Sequence, residues 1–205
     1  MPGGTQAIAV GSTRIACGVA GATPEAASEF GRSYRRNENP AVAALVWRDA
    51  AGDVVLPRSD DAEAPEVVVP AGASITLRAG WPACPVTPVC GDGVCSSEED
   101  DDGCADDCEE PRGCGGAEDY LVYDRARKVL ETRRESVRAA WYTTGGVFAQ
   151  DHTGRDEAAT LAGATSTDDV WQVPDTPGEV HLVVVLGDDR GGVGWSVHRV
   201  TVAPP

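Results

Sequence analysis

The sequence predicts an all-β domain, built as an antiparallel two-sheet sandwich. Short apolar segments with period-two alternation recur along the chain, and turns rich in Gly, Pro and Asp separate them. Alternation of helices with strands, which would indicate a parallel sheet, is not seen in the pattern. The 205 residues are 41% hydrophobic, enough for a core of ordinary size. We therefore predict one sandwich over residues 39–205, interrupted by a cysteine-rich acidic insertion over residues 84–114.

Residues 1–38 precede this sandwich and have the least regular pattern. Weak alternation predicts a strand over residues 7–16, and the small and polar residues at 24–36 predict a connector. We interpret residues 1–38 as an N-terminal β and linker segment, and leave open whether it is the tail of a preceding module. Residues 1–10 have neither a basic start nor an apolar run, so no signal sequence is visible and we expect a truncated or mis-started chain.

The first half of the sandwich contains several short strand signals before the insertion. The most regular is 74–81, in which Ile75, Leu77, Ala79 and Trp81 alternate with more polar residues, as in a strand with one buried face. Turn residues such as Gly52 and Asp53 separate the others. The predicted strands here are 41–47, 54–56, 66–69 and 74–81.

The second half begins with a predicted strand at 120–123. Residues 126–135 fit both patterns, and their composition favours a helix, whereas residues 136–143 predict a strand because a Thr-Thr-Gly-Gly turn follows. The clearest signal is a hairpin of strands 179–186 and 193–202. Along its second strand the parity of the apolar residues changes, which predicts a β-bulge near His198.

The end of the chain resembles a known kind of module. A Trp-x-x-Pro-x-x-Pro-Gly pattern over 171–178 is followed by an apolar strand, an Asp-Asp-Arg-Gly-Gly turn at 188–192 and a Val-rich strand. This order resembles the last two strands of bacterial immunoglobulin-like modules of the polycystic-kidney-disease and cadherin-like kind. Asn39-Pro40, residues 74–81, and Trp141 with Gly145-Gly146 resemble earlier strands. The resemblance implies an immunoglobulin-like sandwich that serves as a spacer or binding platform at a bacterial surface.

The insertion holds six of the seven cysteines of the chain. Such a density is typical of disulfides outside the reducing cytosol, so we expect an extracellular or cell-envelope protein. Fifteen connectivities are possible; our hypothesis is an outer Cys84–Cys114 bridge with the other four cysteines paired inside it. Cys17 is interpreted as a buried or unpaired thiol, with lipidation as the minor alternative. The predicted disulfide cysteines are Cys84, Cys90, Cys95, Cys104, Cys108 and Cys114.

The insertion also holds much of the negative charge. The formal net charge is −16, and residues 90–110 supply ten acids without any Lys or Arg. This balance argues against a nucleic-acid partner. The pattern Cys-Gly-Asp-Gly-x-Cys at 90–95 and Cys-x-x-x-Cys at 104–108 resembles calcium-associated disulfide repeats of bacterial surface proteins. The resemblance implies Ca²⁺ as a cofactor; a solvated acidic loop and a zinc site stay as alternatives. The candidate calcium ligands are Asp92, Glu99, Asp102 and Asp107.

The remaining polar residues predict structure rather than catalysis. The sequence contains no G-x-S-x-G, H-E-x-x-H or P-loop motif. His181 and His198 lie on the predicted hairpin and are expected to form a cross-strand surface pair, and the Asp188-Asp189-Arg190 segment is expected to be a turn with a local ion pair. We do not expect an enzyme.

The function that these observations favour is that of a non-catalytic cell-surface or secreted adhesion or scaffold module. Its partner would be an extracellular or surface protein or glycan, and no segment reaches the apolar length that spans a membrane. The alternative is a carbohydrate- or protein-binding accessory module of a secreted enzyme. An exposed strip of aromatic side chains on one sheet would favour this alternative.

Overall fold

The computed structural model describes residues 19–85, 90–91, 93–95, 103–108 and 113–204. These residues form a mostly β structure with antiparallel sheets, as predicted from the alternation pattern. In chain order the elements are α1 (Pro24–Ser33), β1 (Ala44–Asp49), β2 (Gly52–Val55), β3 (Val68–Pro70), β4 (Ser74–Gly80), α2 (Ala105–Cys108), β5 (Asp119–Asp124), β6 (Val129–Arg134), β7 (Val137–Thr143), β8 (Val147–Phe148), β9 (His152–Arg155), α3 (Glu157–Leu161), β10 (Ser166–Gln172), β11 (Gly178–Asp188) and β12 (Val193–Ala203).

Two five-stranded sheets and one small hairpin make up the β structure of the described residues. The first sheet has the strand order β2-β1-β4-β10-β8, and all its pairs are antiparallel. The second has the order β3-β12-β11-β7-β9, in which β3 pairs with β12 in parallel. Strands β5 and β6 pair only with each other, and with the cysteine-rich insertion they lie between β4 and β7 in the chain.

The two large sheets share one hydrophobic core. Leu45, Leu77 and Trp171 of the first sheet are fully buried, and so are Leu182 and Leu186 of the second. Each such side chain contributes roughly 1.5–3 kcal/mol through removal of its apolar surface from water. The alternation of buried and more exposed positions along β4 follows the predicted period of two.

A helix occupies most of the segment that was predicted to be a connector. Thr23 caps α1, since its hydroxyl accepts a hydrogen bond from Ala26 N at 3.3 Å, and Pro24 begins the helix. Thr followed by Pro is a helix-start signal that the sequence analysis passed over. The strand predicted over residues 7–16 lies outside the described residues.

The helical preference of residues 126–135 was wrong, because residues 125–128 form a turn and Val129–Arg134 form strand β6. Strand β6 pairs with β5 through a register that joins Asp119 to Arg134 and Asp124 to Val129. Lys128 takes a left-handed conformation with φ 56° in the turn. The cross-strand hydrogen bonds of the hairpin therefore override the local propensity of Glu, Arg and Lys for helix.

The predicted bulge near His198 is also wrong. The β11–β12 register is continuous from Gly178 opposite Val202 to Gly187 opposite Val193. The apolar residues change parity along β12 because two polar residues, Ser196 and His198, face the core while Trp195 points outward. His198 lies opposite Leu182 and is buried, so it does not form the expected surface pair with His181.

Candidate functional site

Three disulfides hold the insertion together. They join Cys84 to Cys114, Cys90 to Cys104 and Cys95 to Cys108, with Cα–Cα distances of 5.5, 5.4 and 5.0 Å. The first is the outer bridge that the sequence suggested; the pairing of the inner four is decided by the structure. Three disulfides in one short segment indicate a non-cytoplasmic protein.

Asp107 is buried within the insertion, close to the Cys90–Cys104 bridge. Its side chain is 5% exposed, and its two carboxylate oxygens accept hydrogen bonds from Gly91 N at 2.6 Å and Gly93 N at 2.9 Å. Both glycines have positive φ, 92° and 83°, which a residue with a Cβ rarely adopts. The glycines of the Cys-Gly-Asp-Gly-x-Cys pattern thus aim two backbone N–H groups at one buried carboxylate.

Only one of the four candidate calcium ligands lies within the described residues. Asp92, Glu99 and Asp102 lie outside the described residues, and calcium binding stays a prediction. Asp107 is described, and one of its carboxylate oxygens lies within 4.8 Å of the sulfurs of Cys90 and Cys104. These two sulfurs form a disulfide with each other, so neither can act as a thiolate ligand for zinc.

A buried ionic cluster, which the sequence analysis missed, lies beside the outer disulfide. Its members, Glu118, Glu135 and Arg190, are each at most 8% exposed. Arg190 Nη1 lies 3.2 Å from Glu135 Oε1 and 3.7 Å from Glu118 Oε2. Arg190 therefore pairs with distant residues, and the prediction of a purely local ion pair was wrong. Asp188 instead accepts hydrogen bonds from the backbone N–H groups of Arg190 and Gly192.

The electrostatics of the ionic cluster favour a neutral carboxyl group. Burial raises the pKa of Glu135 to about 8, the negative charges of Asp188 and Glu118 act in the same direction, and Arg190 opposes them. Burial also raises the pKa of Glu118. A single guanidinium cannot neutralise two buried carboxylates, so retaining a proton lowers the electrostatic cost.

Backbone groups and an aromatic ring complete the cluster. Arg190 Nη2 donates to Arg35 O at 2.7 Å, and its guanidinium lies 5.3 Å from the centre of the Tyr120 ring. Glu118 Oε1 accepts from Cys114 N at 2.8 Å. Glu135 accepts a hydrogen bond from Glu118 N at 2.9 Å. The sequence gives no local signal for this cluster, because Glu118, Glu135 and Arg190 lie in separate segments of the chain.

Ser196 and His198 form a second polar pair, inside the core. Ser196 Oγ lies 2.8 Å from His198 Nε2, and His198 Nδ1 lies 3.0 Å from Leu56 O. A carbonyl can only accept, so Nδ1 carries the proton and Nε2 accepts from the serine hydroxyl. Ser196 is fully buried and His198 is 2% exposed, which leaves no access for a substrate. The pair therefore links β12 to the backbone that follows β2.

The outer face of the second sheet carries exposed aromatic side chains. Trp195 on β12 is 64% exposed and Tyr142 on β7 is 55% exposed. Their register partners on the intervening strand β11 are Val185 and Val183. Two strand spacings and a two-residue offset separate the aromatic residues by about 12 Å. We call this surface, formed by Trp195, Tyr142, Val183, Val185 and Val197, the aromatic face.

Comparison of the chain with protein-family models, with curated proteins and with solved structures gave no significant match of any of the three kinds. Within the described residues, the longest helix is α1 with ten residues, and none of the helices has the length and apolarity needed to cross a bilayer.

Proposed function

We propose that this chain is a non-catalytic adhesion or scaffold module of the immunoglobulin-like kind, located at the cell envelope or outside the cell. The strand order is the observation that carries this proposal. We name β1, β4, β7, β8, β10, β11 and β12 as A to G in chain order. The sheets then contain the orders A-B-E-D and G-F-C of the constant-type immunoglobulin arrangement, with β2, β3 and β9 as additional edge strands. Trp141, which is 4% exposed on the strand equivalent to C, also agrees with this arrangement.

The cysteine chemistry supports an extracytoplasmic location. A 30-residue insertion closed by Cys84–Cys114 and cross-linked by two inner bridges gains its stability from oxidised cysteines, which glutathione and thioredoxin would reduce in the cytosol. Thiol trapping in the native cells, followed by mass spectrometry of the chain, tests this location. Disulfide-linked peptides at the three pairs support it, and free thiols at all six positions would overturn it.

A carbohydrate-binding role is the second candidate, and the aromatic face favours it. Flat, solvent-exposed rings of Trp195 and Tyr142 can stack on the apolar faces of sugar rings. Charges near this surface are locally balanced, because Glu179 lies 3.7 Å from His181 and 3.9 Å from Arg199. Such a surface suits an uncharged glycan better than a polyanion.

Affinity electrophoresis in gels that contain neutral soluble polysaccharides tests the glycan role. We expect the wild-type protein to be retarded, the double variant Trp195→Ala/Tyr142→Ala to migrate freely, and Val55→Ala to behave as wild type. Val55 is the matched control because it is 64% exposed on the other sheet. Absence of retardation for the wild type with every neutral glycan would refute glycan binding and leave the adhesion or scaffold role.

A further inference from the structure

The buried ionic cluster lies where four segments of the chain meet. Glu118 precedes β5, Glu135 lies between β6 and β7, and Arg190 lies in the turn between β11 and β12. The fourth segment is residues 35–41, which we call the N-terminal strap. Arg190 donates to the backbone of this strap at Arg35 O. The cluster therefore occupies the joint between the strap, the insertion and the sandwich.

Several other hydrogen bonds fasten the strap at the same joint. Glu38 N donates to Glu118 Oε2 at 3.4 Å, and Ala41 N donates to Gly115 O at 2.7 Å. Asn37 Nδ2 donates to Asp188 Oδ2 at 2.9 Å. The bond from Glu38 ends on the Glu118 carboxylate of the cluster, and the bond from Asn37 ends on the neighbouring Asp188 carboxylate. The charge of the cluster therefore affects how firmly the strap is held.

The joint has almost no spare volume. A Cβ added at Gly194 would collide with Pro40 O, and one added at Gly116 would collide with Pro82 O. The backbone of the strap thus packs directly against β12, and the two ends of the insertion pack directly against each other. A hydration shell for a second buried carboxylate cannot form here unless these segments separate.

We propose that Glu118, Glu135 and Arg190 form a proton-dependent latch that fastens the N-terminal strap and the base of the disulfide-bonded insertion to the sandwich. With one proton bound, one positive and one negative charge balance, and the joint closes. Without that proton the cluster has an uncompensated buried negative charge, and the joint opens to admit water.

The groups that face the cluster set the direction of this response. Burial of Glu135 is the largest influence and favours the bound proton, and the negative charge of Asp188 acts in the same sense, whereas the N–H of Glu118 and the charge of Arg190 oppose them. The Tyr34 and Tyr120 rings flank Arg190, whose guanidinium stays charged. Two further ion pairs lie on the elements beside the cluster. These are Arg134 with Asp119 and Arg133 with Glu157, while Asp189 accepts from Ser136 Oγ.

The linkage between proton binding at Glu135 and opening of the joint gives the size of the pH dependence. In the open joint Glu135 is hydrated and has its ordinary pKa of 4.5, whereas in the closed joint its pKa is about 8. The closed form therefore holds the extra proton between these values, and the opening constant increases about tenfold per pH unit in that window. Above about pH 8 it levels off.

Native-state hydrogen exchange of the disulfide-intact chain tests the latch. The probes are the backbone amides of Glu38 and Ala41, which bond across the joint, and of Cys114, which donates to the Glu118 carboxylate of the cluster. The amide of Leu182 in the central strand is the reference. After correction for intrinsic chemical rates, we expect the protection of the three probes to fall about tenfold per unit between pH 6 and 8. The protection of Leu182 should fall by the same factor, because the unfolded chain also hydrates Glu135, but it should stay higher than that of the three probes at every pH.

Matched variants assign the response to the cluster. Glu135→Gln should remove most of the pH dependence. Glu131→Gln should keep it, because Glu131 is a carboxylate on β6 that pairs with Arg127 at the surface. An unchanged slope in Glu135→Gln, or a flat profile in the wild type, overturns the proposal. Carboxyl carbon NMR of ¹³C-glutamate-labelled wild type is the test that needs no variant: if no glutamate titrates above pH 6, the latch does not exist.

Discussion

Replacement of Asp107 by Asn removes one charge from the interior of the insertion with little change of shape. Asp107 accepts two backbone hydrogen bonds, from Gly91 N at 2.6 Å and from Gly93 N at 2.9 Å. An amide side chain keeps one acceptor oxygen and turns an NH₂ group toward the other glycine N–H. One hydrogen bond is lost and the other is no longer assisted by charge.

The expected cost follows from the strength of such bonds. A hydrogen bond to a charged partner is worth about 1.5–3 kcal/mol, and Asp107 is only 5% exposed, so solvent replaces it poorly. Both glycine residues are themselves exposed, which lets their N–H groups meet water once the loop opens. We expect the opening of this loop to become about 10- to 150-fold more favourable, the equivalent of that free energy.

Amide exchange of Gly91 and Gly93, followed by NMR at pH 6 with all disulfides intact, measures this opening. Asp106→Asn is the matched control, because the neighbouring carboxylate is exposed and its replacement makes the same change of charge. Equal protection of the two glycines in both variants would refute the structural role of Asp107.

The same samples test the calcium prediction: millimolar Ca²⁺ should raise the melting temperature of the wild type, and absence of any shift would refute it.

Three further perturbations test the core, the outer bridge and the buried histidine. Trp171→Ala should cost about 3–5 kcal/mol in urea unfolding, whereas Trp195→Ala should cost under about 0.5 kcal/mol; equal costs would contradict the assigned burial. Replacing Cys84 and Cys114 by Ser should cost about 3–4 kcal/mol, from the entropy of a loop of about 30 residues. Burial lowers the pKa of His198 below 6.5, so the unfolded chain protonates first and His198 contributes a loss of stability as pH drops below about 6.5, opposite in sign to the contribution of Glu135; the difference between the thermal melts of the wild type and of His198→Gln should show this loss.

The β-class and most strands follow from the sequence, because period-two burial is a local property. Residues 74–81 illustrate this: Ile75, Leu77 and Ala79 alternate toward the core in β4, and the pattern alone predicts it. The cysteine density likewise predicts disulfides, and the position of Cys84 and Cys114 at the ends of the insertion suggests the outer bridge.

Other features depend on partners that are distant in the chain. Residues 129–134 form a strand because β5 pairs with them, although their propensities favour helix. The parity change in β12 has its cause in His198, whose ring bonds to the carbonyl of Leu56, 142 residues away. The residues around His198 in the sequence do not indicate such a distant partner.

The ionic cluster shows the same limit most clearly. Glu118, Glu135 and Arg190 each look like surface residues in a charged chain, and only the packing of four segments brings them together and excludes water. Amino-acid type and spacing thus determined the kind of fold and the cross-linked insertion. Tertiary structure alone decided which charges are buried, because burial is a property of the assembled sheets and loops rather than of any one segment.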